Sequence, residues 1–100
     1  MDDRIPEYQL SWLKPALKEF QSLPKPLQQQ IAKKLIELRS MPKIPKNALR
    51  GKLAGCYKIK LQSAGVRLIY KVDDGKLIIL VLAVGKREDS AIYKIAEGRG

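Results

Sequence analysis

Five side chains of this sequence are of the types that act on phosphate esters: Lys58, Lys60, Arg67, Arg87 and Tyr93. Lys58 and Lys60 stand two apart in the alternating run Tyr57-Lys58-Ile59-Lys60-Leu61. As a strand, that run places both amines on one face, about 7 Å apart, and turns Ile59 to the other. Arg67 falls on the next strand-like run and reaches the same face across the hairpin. Arg87 lies where a third run ends, and Tyr93 sits in the short helical stretch that follows. An arginine holds phosphate with two parallel N–H bonds. In a chain without histidine, a lysine crowded by other cations, or a tyrosine beside them, can transfer protons. RNA is cut without a metal when its own 2′-OH attacks the adjacent phosphate. That reaction needs an acceptor for the 2′ proton, cations on the developing phosphorane, and protection or protonation of the leaving 5′-oxygen. The five residues suffice for it, and suffice equally for plain phosphate binding; types and spacing leave both open. Like charges opposed across a sheet destabilise it, so a face with Lys, Lys and Arg and no carboxylate is costly to assemble without a polyanion.

The charge of the whole chain points the same way. Its 100 residues, one domain's worth over 1–100, carry 20 Lys and Arg against 10 Asp and Glu, a net +10. The imbalance is local: from Lys14 to Lys71 fourteen bases face only two acids, Glu19 and Glu37, while the other eight acids lie towards the ends. A merely soluble surface intersperses the two signs, whereas phosphate neutralisation calls for this excess. The absence of histidine excludes histidine acid–base catalysis and histidine metal sites, and no metal or cofactor is expected. A single cysteine, Cys56, fits a reducing cytoplasm and reads as a small buried residue. Met1 to Glu7 is acidic with no apolar stretch behind it, so no signal peptide is expected. The longest apolar run, Leu77 to Val84, has eight residues, against roughly 20 needed to cross a bilayer; no membrane partner is expected.

Around these residues the pattern predicts β-α-α-β-β-β-α. Tyr8 to Leu13 reads as a strand. Pro15 then suits the first turn of a short helix with Ala16, Leu17, Phe20 and Leu23 on one face. Pro26 opens a second helix, whose stripe of Leu27, Ile31, Leu35 and Leu38 is widened by Ala32 and Ile36 and stopped at Met41-Pro42. Lys43 to Gly55 is a basic loop. Strands follow at Tyr57 to Leu61, Val66 to Asp73 and, after a tight Asp74-Gly75 turn, Leu77 to Val84. The last is apolar on both faces and therefore central. Ser90 caps a final helix through Glu97. Tyr57 and Tyr70 read as core or strand-pair residues and Trp12 as core. The sum is an α+β fold: an antiparallel four-stranded sheet with an N-terminal helical hairpin on one face and a short C-terminal helix.

Cys56 to Leu61, Ser63 to Tyr70, Val84-Gly85-Lys86-Arg87-Glu88 and Ser90-Ala91-Ile92-Tyr93 resemble the RelE toxins of the bacterial RelE/ParE superfamily, as do Ala16 to Phe20 and Leu49-Arg50-Gly51. The resemblance spans about Tyr8 to Arg99. It implies a microbial-ribonuclease-like fold and the toxin of a type II toxin–antitoxin pair: a cytoplasmic endoribonuclease that enters the ribosomal A site and cleaves the mRNA codon there. Lys58 and Lys60 would match the family's active-site lysines, Arg67 its phosphate-binding arginine, Arg87 the arginine placed on the transition state or leaving group, and Tyr93 the tyrosine that stacks on the codon. Arg50, Lys52, Lys86, Lys33 and Lys34 are the further candidates for RNA contact. Asp89 stands beside Arg87, where members often carry arginine. The implied partners are mRNA, the 70S ribosome with its rRNA, and an acidic RelB-like antitoxin wrapping the toxin, with operator DNA reached only through that antitoxin. Two other readings compete: a ParE-like inhibitor of DNA gyrase, and a non-catalytic nucleic-acid-binding domain.

Overall fold

The apolar run near the C-terminus becomes the spine of the sheet. In the computed structural model, which describes residues 7–61, 64–86 and 91–99, it forms β4 (Ile78–Lys86). The other elements are β1 (Gln9–Trp12), α1 (Lys14–Gln21), α2 (Lys25–Leu38), β2 (Cys56–Leu61), β3 (Val66–Asp73) and α3 (Ala91–Arg99). The strands lie in the order β1-β4-β3-β2, so β4 is interior and its apolar residues are covered on both faces, as expected. The element order and the four-stranded α+β architecture follow the sequence reading. One pairing differs: β2, β3 and β4 are antiparallel, but β1 joins β4 in parallel. The two-helix excursion between β1 and β2 returns the chain to the far edge, leaving β1 alongside a strand of its own direction. Arg87, Asp89 and Ser90 lie outside the described residues.

Two apolar clusters sandwich the sheet. On one face, Ala16 of α1 and Ile31 and Leu35 of α2 pack on Ile59, Leu68, Tyr70, Ile79 and Val81. Both helices carry proline in their first turn after an extended residue, where its missing N–H is no loss. The α2 stripe is narrower than its spacing predicts: Ile36, one step of about 100° round from buried Leu35, is 61% exposed. On the other face, Ile92 and Ala96 of α3 pack on Leu53, Cys56, Ile69, Leu82 and Ala83. A bulge in β4 allows both. Ile69 pairs with Ala83 and Tyr70 with Val81, so Leu82 is the extra residue and shares the α3 side with Ala83.

The loop 43–55 contains two short 3-10 turns, Pro45–Asn47 and Gly51–Leu53, and bridges to β2 through Ala48 and Tyr57. The β3–β4 turn is longer than a two-residue Asp-Gly turn. Asp73 Oδ1 accepts the Lys76 N–H at 3.1 Å, and the left-handed residue is Leu77, φ +54°, rather than Gly75. Leu77 tolerates this because its carbonyl accepts the Gln9 N–H at 2.8 Å, which starts the β1–β4 pairing.

Tyr70 is fully buried. Its ring lies 5.7 Å from that of Tyr57 across the strand pair, and its hydroxyl donates to the Pro42 carbonyl at 2.8 Å, tying the end of α2 to the sheet. Burial pushes its phenol far above the usual range. Tyr70→Phe leaves the Pro42 carbonyl with only the longer bond from the Ile44 N–H, at 3.2 Å, so it should destabilise the fold by about 0.5–1.5 kcal/mol, read from urea unfolding.

Candidate nucleic-acid and phosphate site

Strand alternation and register assemble the cationic set. On β2, Cys56, Lys58 and Lys60 point to the α3 side, while Ile59 and Leu61 point to the helical hairpin. Lys58 pairs with Ile69, and Lys60 pairs directly with Arg67 of β3. Three cations therefore meet on one face of the β2–β3 hairpin, and among the described residues none has an ion-pair partner. Tyr93, half-buried on α3, comes to the same place: Arg67 Nη1 donates to its hydroxyl oxygen at 2.5 Å, and the guanidinium carbon lies 5.5 Å from the ring centroid. Arg67 Nε is buried with no acceptor among the described residues. An N–H left unmet in this way costs folding stability.

Gly85 sits opposite Arg67 under α3. A Cβ there would come within 3.3 Å of Ile92 Cδ1, so the tip of that side chain would have to give by a few tenths of an ångström. Cys56 lies at the base of the same face. Burial pushes its thiol above the usual range, against the lowering charge of Lys71, which leaves it without nucleophilic character.

The other candidates sort by position. Arg50 and Lys52 are exposed on the turn whose Leu53 packs under α3, so they flank the cationic face. Lys86 is exposed at the end of β4, opposite Val66. Lys34 belongs to the opposite side but reaches the free edge of β2. A groove of about 760 Å³ there is lined by Lys34, Lys46 and Lys60, with Gln30, Asn47 and Leu38. Lys33 is exposed on α2 outside that groove. Lys46 and Asn47 were not legible as site residues, because a loop position carries no periodicity to say which element it will face.

Sequence reasoning also missed a polar junction behind the site. Arg99 at the end of α3 holds Glu19 of α1 in a two-pronged ion pair, Nη1 to Oε1 at 3.0 Å and Nη2 to Oε2 at 2.9 Å. Burial disfavours the charge on Glu19. The hydrogen bonds from Arg99 and the Val84 N–H, with the Arg99 charge, outweigh it and hold the carboxyl below its usual range.

A family model described as the ParE toxin of the type II toxin–antitoxin system parDE matches residues 10–91. A RelE-like toxin protein of Escherichia coli is 52% identical over 92 residues, covering 92% of this chain and 96% of the relative. The mRNA interferase toxin RelE of E. coli K12 is 46% identical with the same coverage. Among solved structures, a double Arg→Ala mutant of E. coli toxin RelE in the free state superposes with a TM-score of 0.85 at 44% identity, over 93% of this chain and 97% of that one. The toxin of the intact E. coli RelBE toxin–antitoxin complex does so with 0.77 at 46% identity, over 81% and 98%.

Two outcomes follow from the electrostatics. Opposed Lys60 and Arg67 repel, so Lys60→Thr should stabilise the fold by up to about 1 kcal/mol; added salt should stabilise the wild type more than the variant, both read from urea midpoints. For Glu19 the folded pKa is depressed. Its contribution is therefore full above the ordinary value of about 4.3 and is lost as the pH falls through the lower folded one. The gap in urea midpoint between wild type and Glu19→Gln should be widest at neutral pH and close on acidification below about pH 4.

Proposed function

The chain belongs to the RelE toxins of the RelE/ParE superfamily, and from that premise we propose that it is a ribosome-dependent endoribonuclease, the toxin of a type II toxin–antitoxin pair, cutting mRNA in the ribosomal A site. The observation that carries this reading is the meeting of Lys58, Lys60 and Arg67 on one sheet face with Tyr93 brought onto Arg67 by α3. A gyrase-inhibiting role needs no such set, and the relatives sharing about half of the residues are RelE proteins.

In this reading the scissile phosphate lies over Arg67, whose terminal guanidinium donors take its oxygens. Lys58 and Lys60 add charge as the phosphorane forms. The 2′-oxygen bonds to phosphorus as its proton passes to whichever of Lys58, Lys60 or Tyr93 is deprotonated. The bond to the 5′-oxygen then breaks as that oxygen takes a proton from another, protonated member of the three, leaving a 2′,3′-cyclic phosphate on one fragment and a 5′-hydroxyl on the other. Arg67 donates to the Tyr93 oxygen, so the phenol's own proton is free to point at substrate, and the ring offers a stacking surface for a base. Arg87, which directly follows Lys86 at the end of β4, stabilises the leaving oxygen. Arg50, Lys52, Lys86, Lys33 and Lys34, joined by Lys46 in the β2-edge groove, meet mRNA and rRNA phosphates.

The ribosome orders the codon on this open face. Relatives are seen bound to RelB-type antitoxins. The corresponding partner here is an acidic RelB-like segment that wraps the toxin, covers its cationic face and alone links it to operator DNA. No described helix is long and apolar enough to cross a membrane, and the site of action is the cytoplasm.

Primer-extension mapping in a reconstituted translation system, with wild type beside Arg87→Ala, tests the reading. Cuts within the A-site codon should require ribosomes and weaken roughly 10²–10³-fold in the variant. Intact mRNA and unaffected translation would overturn it; inhibition of gyrase supercoiling in the same preparation would support the ParE-like alternative.

A further inference from the structure

Three of the groups described above are fixed to the sheet by their own strands. Tyr93 is different: it arrives on α3, nine residues long, too short to hold its shape alone. The apolar seat of this helix is thin, with Ile92 and Ala96 as its buried residues. Ile95 is 43% exposed, and a cleft of about 300 Å³ separates its flank from α1 and the end of β4, lined by Glu19, Gly85, Lys86, Ala91, Ile92 and Ile95. Such contacts hold the helix down but resist rolling and sliding poorly, because apolar contact is not directional.

The directional hold is at the other end. Beyond the two-pronged bond to Glu19, Arg99 Nη1 donates to the Leu82 carbonyl at 2.9 Å, and Glu19 Oε1 also accepts the Val84 N–H at 3.0 Å. These backbone groups lie on the edge of β4 past Val81, where pairing with β1 has ended. Both side chains are largely covered, 22% exposed for Arg99 and 30% for Glu19. One junction therefore ties α3, α1 and the unpaired edge of β4 with four hydrogen bonds of fixed geometry. Tyr93 lies six residues back from Arg99, about 9 Å along the same helix.

We propose that Arg99 and Glu19 are positioning residues: their ion pair sets the roll and depth of α3 on the sheet, and so places the Tyr93 hydroxyl on Arg67. Among the described residues neither shares a hydrogen bond or ion pair with Lys58, Lys60, Arg67 or Tyr93; they act through the helix. An arginine–carboxylate fork suits the task, since its two parallel bonds fix orientation as well as distance. The inference rests on the reading of Tyr93 as part of the cleavage site.

The test is a double-mutant cycle with a structural arm. Single-turnover cleavage of ribosome-bound mRNA is measured for wild type, Arg99→Ala, Tyr93→Phe and the double variant, alongside ribosome affinity. In the free protein the ¹³Cζ resonance of Tyr93 is followed, assigned by its loss in Tyr93→Phe. Arg99→Ala should slow cleavage roughly 10- to 100-fold with ribosome affinity little changed, and should cost nothing further in the Tyr93→Phe background. The Tyr93 resonance should move in Arg99→Ala and recover in part in Arg99→Lys. Equal losses in both backgrounds, or an unmoved resonance, would overturn the proposal. If wild type does not cut, the functional reading fails while the resonance still decides the positioning. Should Arg99→Ala unfold by circular dichroism, Glu19→Gln, whose amide oxygen still accepts from Val84, takes its place in the cycle.

Discussion

Ile79, Val81, Leu82 and Ala83 are wholly withdrawn from water, and the placing of every other element depends on how both faces of their strand are covered. Burial of apolar surface is worth about 25 cal/mol per Å² and has no direction, so it demands a cover on each side without saying which. The helical hairpin supplies one cover and α3 with the Gly51–Leu53 turn the other. The bulge at Leu82 gives each face its share. With β4 in the middle, β2 is driven to an edge, and an edge strand is where lysines can stand on a sheet and still reach water.

That arrangement separates what holds the molecule together from what it presents. The hairpin-side cluster is apolar and closed, whereas the α3 side is apolar only under the helix. Beyond it the face passes to Lys58, Lys60 and Arg67, with an arginine Nε buried and unmet. Placing like charges on neighbouring strands and leaving a donor unsatisfied both oppose folding. The two cores offset this cost, and a polyanion lying on the face would remove it. Fold and proposed activity are in this sense opposed in the same residues, a common condition of functional sites.

Much of this was legible in the chain before any coordinate. Alternation in Tyr57 to Leu61 assigned that strand and put Lys58 and Lys60 on one face, and Val66 to Asp73 read as its partner. The unbroken apolar run marked the central strand, and prolines marked both helix starts. These signals are local: a period of two or 3.6, or a residue whose φ is restricted, acts within a few positions and needs no knowledge of the rest. The parallel joining of β1, the Leu77 turn and the exposure of Ile36 were not legible, since each is settled by what happens to pack alongside.

Local pattern in the chain settled the candidate site residues, their cationic sign, the order of elements and the face on which Lys58, Ile59 and Lys60 stand. Packing settled the bulge that puts Leu82 beside Ala83, the contact of Arg67 with Tyr93, the groove that Lys34 and Lys46 share with Lys60, and the meeting of Glu19 with Arg99, 80 residues away. Pairing between distant side chains leaves no periodic trace in the chain, because it depends on the bend, register and helix placement that the two cores impose. A carboxylate alone on a helix and an arginine near a terminus read as solvated charges until packing sets them against the same strand edge.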